Sequence, residues 1–155
     1  MRLDADHIAF VQSGVSIDVA GRDAHNVPAI ARAVGCRVSP DGQRVTVFVP
    51  RAFGARLLTA LAATGAVAAV FCHASTFRTI QLKGSDASLG PVTGEDLTHV
   101  RAAVAAFVAD IASMGHSEPL ALAAATHDPS DLAGVAFTID AAFVQTPGPS
   151  AGARI

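Results

Sequence analysis

The chain has 155 residues and a net charge of −2, and 51% of its residues are hydrophobic. A length of this order has enough apolar area for one core and not two, so residues 1–155 read as a single domain. The small net charge and a pI near 6.3 exclude a general electrostatic attraction to nucleic acid or to an anionic membrane surface. Alanine supplies much of the apolar content, and no run of about 18 large apolar residues is present to cross a bilayer. The opening residues MRLDADHIAF lack the apolar stretch and cleavage site of a secretory signal, which makes the cytoplasm the expected location. With neither Trp nor Tyr, phenylalanine is the only aromatic surface, and base stacking is not expected.

Taken in order, Leu3 to Gln12 predicts a short helix capped by Asp4 and stopped by Gly14. VSIDVA from Val15 alternates as a strand, GRDAHN turns, and PAIARAVGCRV reads as one second strand with Pro28 at its start. SPDGQ is a tight turn that returns Arg44 to Val49 beside that strand, making a three-stranded meander. After Pro50 a helix follows, with Phe53, Leu57 and Leu61 on one stripe and Gly65 at its end.

AVAAVFCH reads as a strand buried on both faces, and TFRTIQLKG as a strand with Thr79, Gln81 and Lys83 on one side. Thr93-Gly-Glu-Asp96 has capping-box spacing, and Leu97, Val100, Val104, Phe107, Val108 and Ile111 mark a long amphipathic helix ending at Gly115. Ser117 opens a further helix to about Thr126, and GVAFTIDAAFV reads as one closing strand before an extended or loose Pro/Gly-rich tail. Strands and helices do not alternate strictly, so the order points to an α+β barrel and not to a doubly wound sheet.

The chemistry concentrates in two places. In RVTVFVPRAFGAR a strand runs into a helix start that carries Arg51 and Arg56 but no Ser, Thr, Asp or Asn to cap it. Bare amides at the positive end of a helix, with two arginines beside them, suit an anion such as a phosphate. Two solvated surface arginines would have the same sequence. The Thr79, Gln81 and Lys83 rail offers donors and acceptors in register, suited to the edge of a planar heterocycle or a ribityl-like chain, and equally to a solvated outer face. Arg32 and Arg37 sit at odd spacing, so a regular strand cannot present both on one face without a bulge.

Cys36 and Cys72 match no metal-ligand spacing and read as buried free thiols, and no metal site is expected. His116 and His127 lie near helix C-termini, where the dipole accounts for them without a metal. Hydrolase and NTPase motifs are absent.

The order of PAIARAVGCRVSPDG, RVTVFVPRAFGARLLTALAATG, AVAAVFCH and TFRTIQLKG resembles the FMN-binding split-barrel family typified by pyridoxamine 5'-phosphate oxidase, over roughly residues 15–84. Arg32 to Arg37, with Val34 between them, follows that family's R-x-x-x-x-K strand, with Arg in place of Lys. Arg56 falls on its helix-start arginine, Leu57 on its lysine, and Phe48-Val49 on its Tyr-Thr. Arg78-Thr79 stands where the family has R-Q.

The resemblance implies an antiparallel split β-barrel with flanking helices, forming a homodimer with FMN at the interface. It implies that Arg32, Val34, Arg37, Arg51, Arg56, Thr79 and Gln81 bind the cofactor. The expected activity is an FMN-dependent oxidoreductase of unassigned substrate, and the alternative is a non-catalytic dimer with weak or lost flavin binding. Haem or a deazaflavin are the alternative cofactors. Vitamin B6 oxidation itself is not expected, because the aromatic residues used for it are missing.

Overall fold

The computed structural model describes residues 1–155. Asp4 caps the first helix, α1 (Ala5–Val11), by accepting the His7 N–H at 2.8 Å. The strands β1 (Ser16–Arg22), β2 (Pro28–Ala33), β3 (Cys36–Val38) and β4 (Arg44–Pro50) precede α2 (Arg51–Thr64). Then come β5 (Val67–Cys72), β6 (Thr79–Gly84), β7 (Ser88–Gly90), α3 (Gly94–Ser113), α4 (Glu118–Ala124), β8 (Leu132–Thr138) and β9 (Ala141–Val144). The architecture is α+β, with two antiparallel sheets ordered β2-β1-β5-β6-β9 and β3-β4-β8-β7.

Two expected strands are each divided between the sheets. PAIARAVGCRV breaks at Val34-Gly35, so β2 pairs with β1 in the larger sheet while β3 pairs with β4 in the smaller. The break keeps its backbone satisfied: Val34 N–H reaches Phe48 C=O at 2.9 Å, and Phe48 N–H reaches Gly35 C=O at 3.0 Å. The expected three-stranded meander is therefore two hairpins in different sheets. GVAFTIDAAFV divides in the same way at Ile139-Asp140, with β8 on β4 and β9 on β6. Changing sheets lets each half bury its own alternate residues, which one straight strand could not do.

The core fills the space between the sheets. Val19, Val45, Val47, Val49, Phe71, Leu82, Val135 and Phe137 are fully buried there. Leu57 and Leu61 of α2 join it, but Phe53 is 72% exposed, against the expected stripe. The first turn of α2 lies so close to β4 that Gly54 faces Val49, where a Cβ would come within 2.5 Å of the valine side chain. Phe53 then falls outside the contact. Gly65 ends α2 as expected, with φ of 66° and its N–H on Leu61 C=O.

The capping box of α3 forms: Asp96 N–H reaches Thr93 Oγ1, and Thr93 N–H returns to Asp96 Oδ2. Only Asp96, Val100 and Phe107 of this helix are buried, so its apolar stripe is less covered than its sequence predicts. Gly14, at φ of 83°, lets α3 approach closely; a Cβ there would meet Ala106 Cβ at 2.5 Å and Ala103 C=O at 2.6 Å. The C-terminal tail is not loose, since Ile155 N–H bonds Ala142 C=O and Gly152 N–H bonds Val144 C=O.

Candidate functional site

Arg32 leaves β2 on the outer face of the five-stranded sheet. Its Nη2 donates to Ser16 Oγ at 2.7 Å, and its guanidinium carbon stands 5.5 Å from the Phe107 ring centre. Asp18 stands opposite it on β1, on the same face, but makes no ion pair with it; the arginines in ion pairs are Arg37, Arg44 and Arg78. Arg32 and Val34 line a groove of about 240 Å³ with Pro50, Phe53, Ala123, Ala124 and Thr126. A smaller hollow shared with Phe107, Ala103 and Val104 continues beside it. The groove therefore has one free guanidinium among small and apolar neighbours, with the end of α4 as its roof.

Arg37, five residues on, sits in the other sheet and is already engaged. Its Nε donates to Asp96 Oδ1 at 2.7 Å, and Asp96 is 2% exposed. Burial alone would raise the Asp96 carboxyl, but the Thr93 amide, Arg37 and the Thr93 hydroxyl outweigh it and hold the group below its ordinary range. Arg37 is thus fixed to the start of α3, on the far side of the sheet change from Arg32.

Arg51 and Arg56 do not converge with Arg32. Arg51 borders a shallow cavity with Ala55, Leu58 and Leu89. Arg56 borders another with Asp23, Val27 and Thr59. The Val27 amide is the main reason why the Asp23 carboxyl lies below its usual value, and Arg56 contributes least among the groups lowering it.

One of the bare amides at the head of α2 does find an acceptor from elsewhere in the chain. Ala52 N–H donates to Asp131 Oδ2 at 2.8 Å. Asp131 lies 79 residues away in the short turn before β8, too far along the chain for any local capping pattern to reveal. Phe48 and Val49, which stand at the Tyr-Thr position of the resemblance, are fully buried in the core.

Thr79 and Gln81 share the outer face of β6 with Lys83, as the alternation predicts. Thr79 Oγ1 donates to Phe77 C=O at 2.9 Å and lies 3.2 Å from Cys72 Sγ. Gln145 Nε2 reaches Gln81 Oε1 at 3.4 Å. Three strand steps separate β6 from β2 on this sheet, roughly 14 Å at ordinary strand spacing. Arg32 and the rail thus belong to one face but to opposite sides of it.

Between them that face presents Ala20, Ala68, Val70 and Cys72, all half-buried, together with Ser16 and the exposed Asp18, which lies opposite both Arg32 and Val70; no helix packs closely against β5, β6 or β9. Cys36 is buried as expected, its thiol pushed up to about 12 by burial, whereas Cys72 is only partly covered. His73 lies 3.4 Å from Asp110 and 3.3 Å from Ser75 Oγ, tying the β5–β6 turn to α3. Both contacts converge on Nδ1, so the trio lacks the geometry in which a histidine relays a proton between serine and carboxylate.

No family model matches the chain, and no curated protein matches it in sequence. Solved structures do match. HupZ of Group A Streptococcus is 15% identical, with 97% of this chain and 100% of that one covered at a TM-score of 0.57. A putative pyridoxamine 5'-phosphate oxidase from Lactobacillus delbrueckii is 12% identical, with 92% and 94% covered at 0.54. An F420 reductase is also 12% identical, with 90% and 98% covered at 0.57. The class is thus an α+β protein of paired antiparallel sheets. Its fold is that of the pyridoxamine 5'-phosphate oxidase-like proteins, as the order of its segments suggests. No helix is long and apolar enough to cross a membrane.

Proposed function

We propose that the chain is one split-barrel domain that works as a homodimer and binds FMN between its subunits. The observation that carries this reading is Arg32, a guanidinium with no carboxylate partner that lines a groove with Val34 beside the ring of Phe107. Such a group binds a phosphate by charge-assisted hydrogen bonds. The donor set fits FMN at that end only in part, because Arg37 is committed to Asp96 and the head of α2 to Asp131.

The rail of Thr79 and Gln81 suits the other end of a flavin, and within one chain it lies too far from Arg32 to share it. A second copy, related by a two-fold axis running along β5, would bring its own β6 near this chain's β1 and β2. The face around Val70, small and apolar apart from Asp18 on β1 and Gln81 on β6, supports that contact, with Gln81 of one copy able to meet Asp18 of the other. In this arrangement Arg32 orients the phosphate, Val34 packs on the ligand, and Thr79 and Gln81 hydrogen-bond its polar edge. The flavin supplies the redox chemistry when bound, and the protein contributes orientation and exclusion of water.

The test is gel filtration of purified protein after addition of FMN, with absorption read across the peak. Flavin bands that co-elute at dimer mass support the reading. A monomer that retains no flavin overturns it. Haem and the deazaflavin F420, offered in parallel, identify a different occupant if one of them is retained instead.

A further inference from the structure

The ladder registers align one row of side chains across the whole outer face of the larger sheet: Arg32 on β2, Asp18 on β1, Val70 on β5, Gln81 on β6 and Phe143 on β9. The next row on the same face holds Ile30, Ala20, Ala68, Lys83 and Ala141, with Ile30 69% exposed. The charges on this face are Asp18, Arg22, Arg32 and Lys83, all exposed, and none of them forms an ion pair within the chain. Arg22 reaches the Asp23 C=O at 3.5 Å, at the end of the sheet, and Arg32 turns to Ser16 and the Phe107 ring. Asp18 and Lys83 remain, two strand steps apart. Lys83 leans toward the row of Asp18, its Nζ 5.1 Å from the centre of the Phe143 ring.

We propose that this face docks a second copy of the chain through two ion pairs, Asp18 of each copy meeting Lys83 of the other. This rests on the homodimer reading above and not on the identity of its ligand. A two-fold axis parallel to β5 lays β6 of the second copy over β1, which brings its Lys83 over Ala20, one row from Asp18. With sheets stacked about 10 Å apart and about 7 Å between rows, the two Cα atoms stand roughly 12 Å apart, within the joined reach of a lysine and an aspartate. Arg22 lies one row to the other side of Ala20, and the lean of Lys83 toward Phe143 selects the acid over the base. The same operation sets Val70 on Val70, Ala141 over Ile30 and Phe143 over Arg32, where a ring face attracts a guanidinium. An in-plane axis across the strands through the Val70 row would set Asp18 on Asp18 and Arg32 on Arg32, which like-charge repulsion opposes. The charges therefore choose both the occupant and its orientation.

The experiment measures dimer dissociation by sedimentation at low ionic strength, without flavin and again with FMN, for the full-length wild type, Asp18→Lys, Lys83→Asp and an equimolar mixture of the two variants. One variant then carries two lysines at the contact and the other two aspartates. The expected result is a dimeric wild type, each variant alone dimerising about tenfold or more weakly, and a dimer recovered in the mixture. Thermal melts of the dilute variants should match the wild type, since both side chains are exposed. Variants that dimerise like the wild type, or a mixture no tighter than its components, overturn the pairing while the homodimer stands. A wild type that stays monomeric with and without FMN brings down the homodimer reading and this inference together.

Discussion

Arg32 and Arg37 are five residues apart, and the chain uses them for opposite purposes. Before Val34-Gly35 the arginine stands on an exposed sheet face, opposite Asp18 on β1 but in no ion pair. After it the arginine is bound to a buried carboxylate that also caps α3. The same side chain makes no ion pair on one side of the sheet change and is a structural strut on the other. What decides is the neighbour supplied by the other elements, a serine and a phenylalanine ring in one case and Asp96 in the other.

The comparison breaks most readily at Asp96. Asp96→Ala removes the capping box and the partner of Arg37 together, and should cost about 3 kcal/mol of stability in urea denaturation. A loss under 1 kcal/mol would show Arg37 as dispensable to the fold as Arg32 is held to be. Arg32→Ala should leave the urea midpoint nearly unchanged and weaken FMN binding by about tenfold to a hundredfold, the range for one charge-assisted contact. Calorimetric titration of the purified variant is the check. If FMN affinity survives and the fold does not, the two arginines have exchanged roles.

Acid titration sharpens the same contrast. Asp96 and Asp86 both lie below their ordinary values, Asp96 despite burial and Asp86 chiefly through the Thr138 amide and hydroxyl. Carboxyls lowered in the folded state contribute stability that is present above the unfolded-state value near 4 and lost as pH falls through the folded-state value. Stability should therefore decline below about pH 4, and Asp86→Asn should flatten that decline in melts taken from pH 6 downward.

The smallest effect concerns the thiols. Cys36, on the strand that carries Arg37, is buried with its thiol pushed up to about 12, while Cys72 lies on the bare face. Mass spectrometry after brief alkylation should find Cys72 modified first. Slower labelling of Cys72 at high protein concentration, with Cys36 unchanged, would place that face inside a dimer.

Much of the fold was legible because its signals are local. Asp4, the Thr93 to Asp96 box, Gly65 and the alternation of Thr79 to Lys83 all act within a few residues, and each stands where its pattern predicts. The divisions at Val34-Gly35 and Ile139-Asp140 were not legible, since an alternating strand looks the same whether or not it changes sheets midway. The missed strand β7 has only three residues, SLG, too few for periodicity to register.

The site was legible in part for the same reason. The rail could be read from strand alternation and Arg32 from the resemblance, and Arg51 and Arg56 stand on α2 as read. Their convergence could not be judged, because it depends on which cavity each side of the helix borders. Asp131 was invisible to any local rule, its partner amide lying 79 residues away.

Gly14 has a reach beyond its own turn. Because α3 rests on its bare backbone, the distance between α1 and α3 is set by one missing methyl group, and Phe107 of that helix carries the platform under Arg32. A change as slight as glycine to alanine there would act as a wedge, lifting the helix and tilting the ring. The setting of Arg32 is thereby adjustable from a position outside its groove.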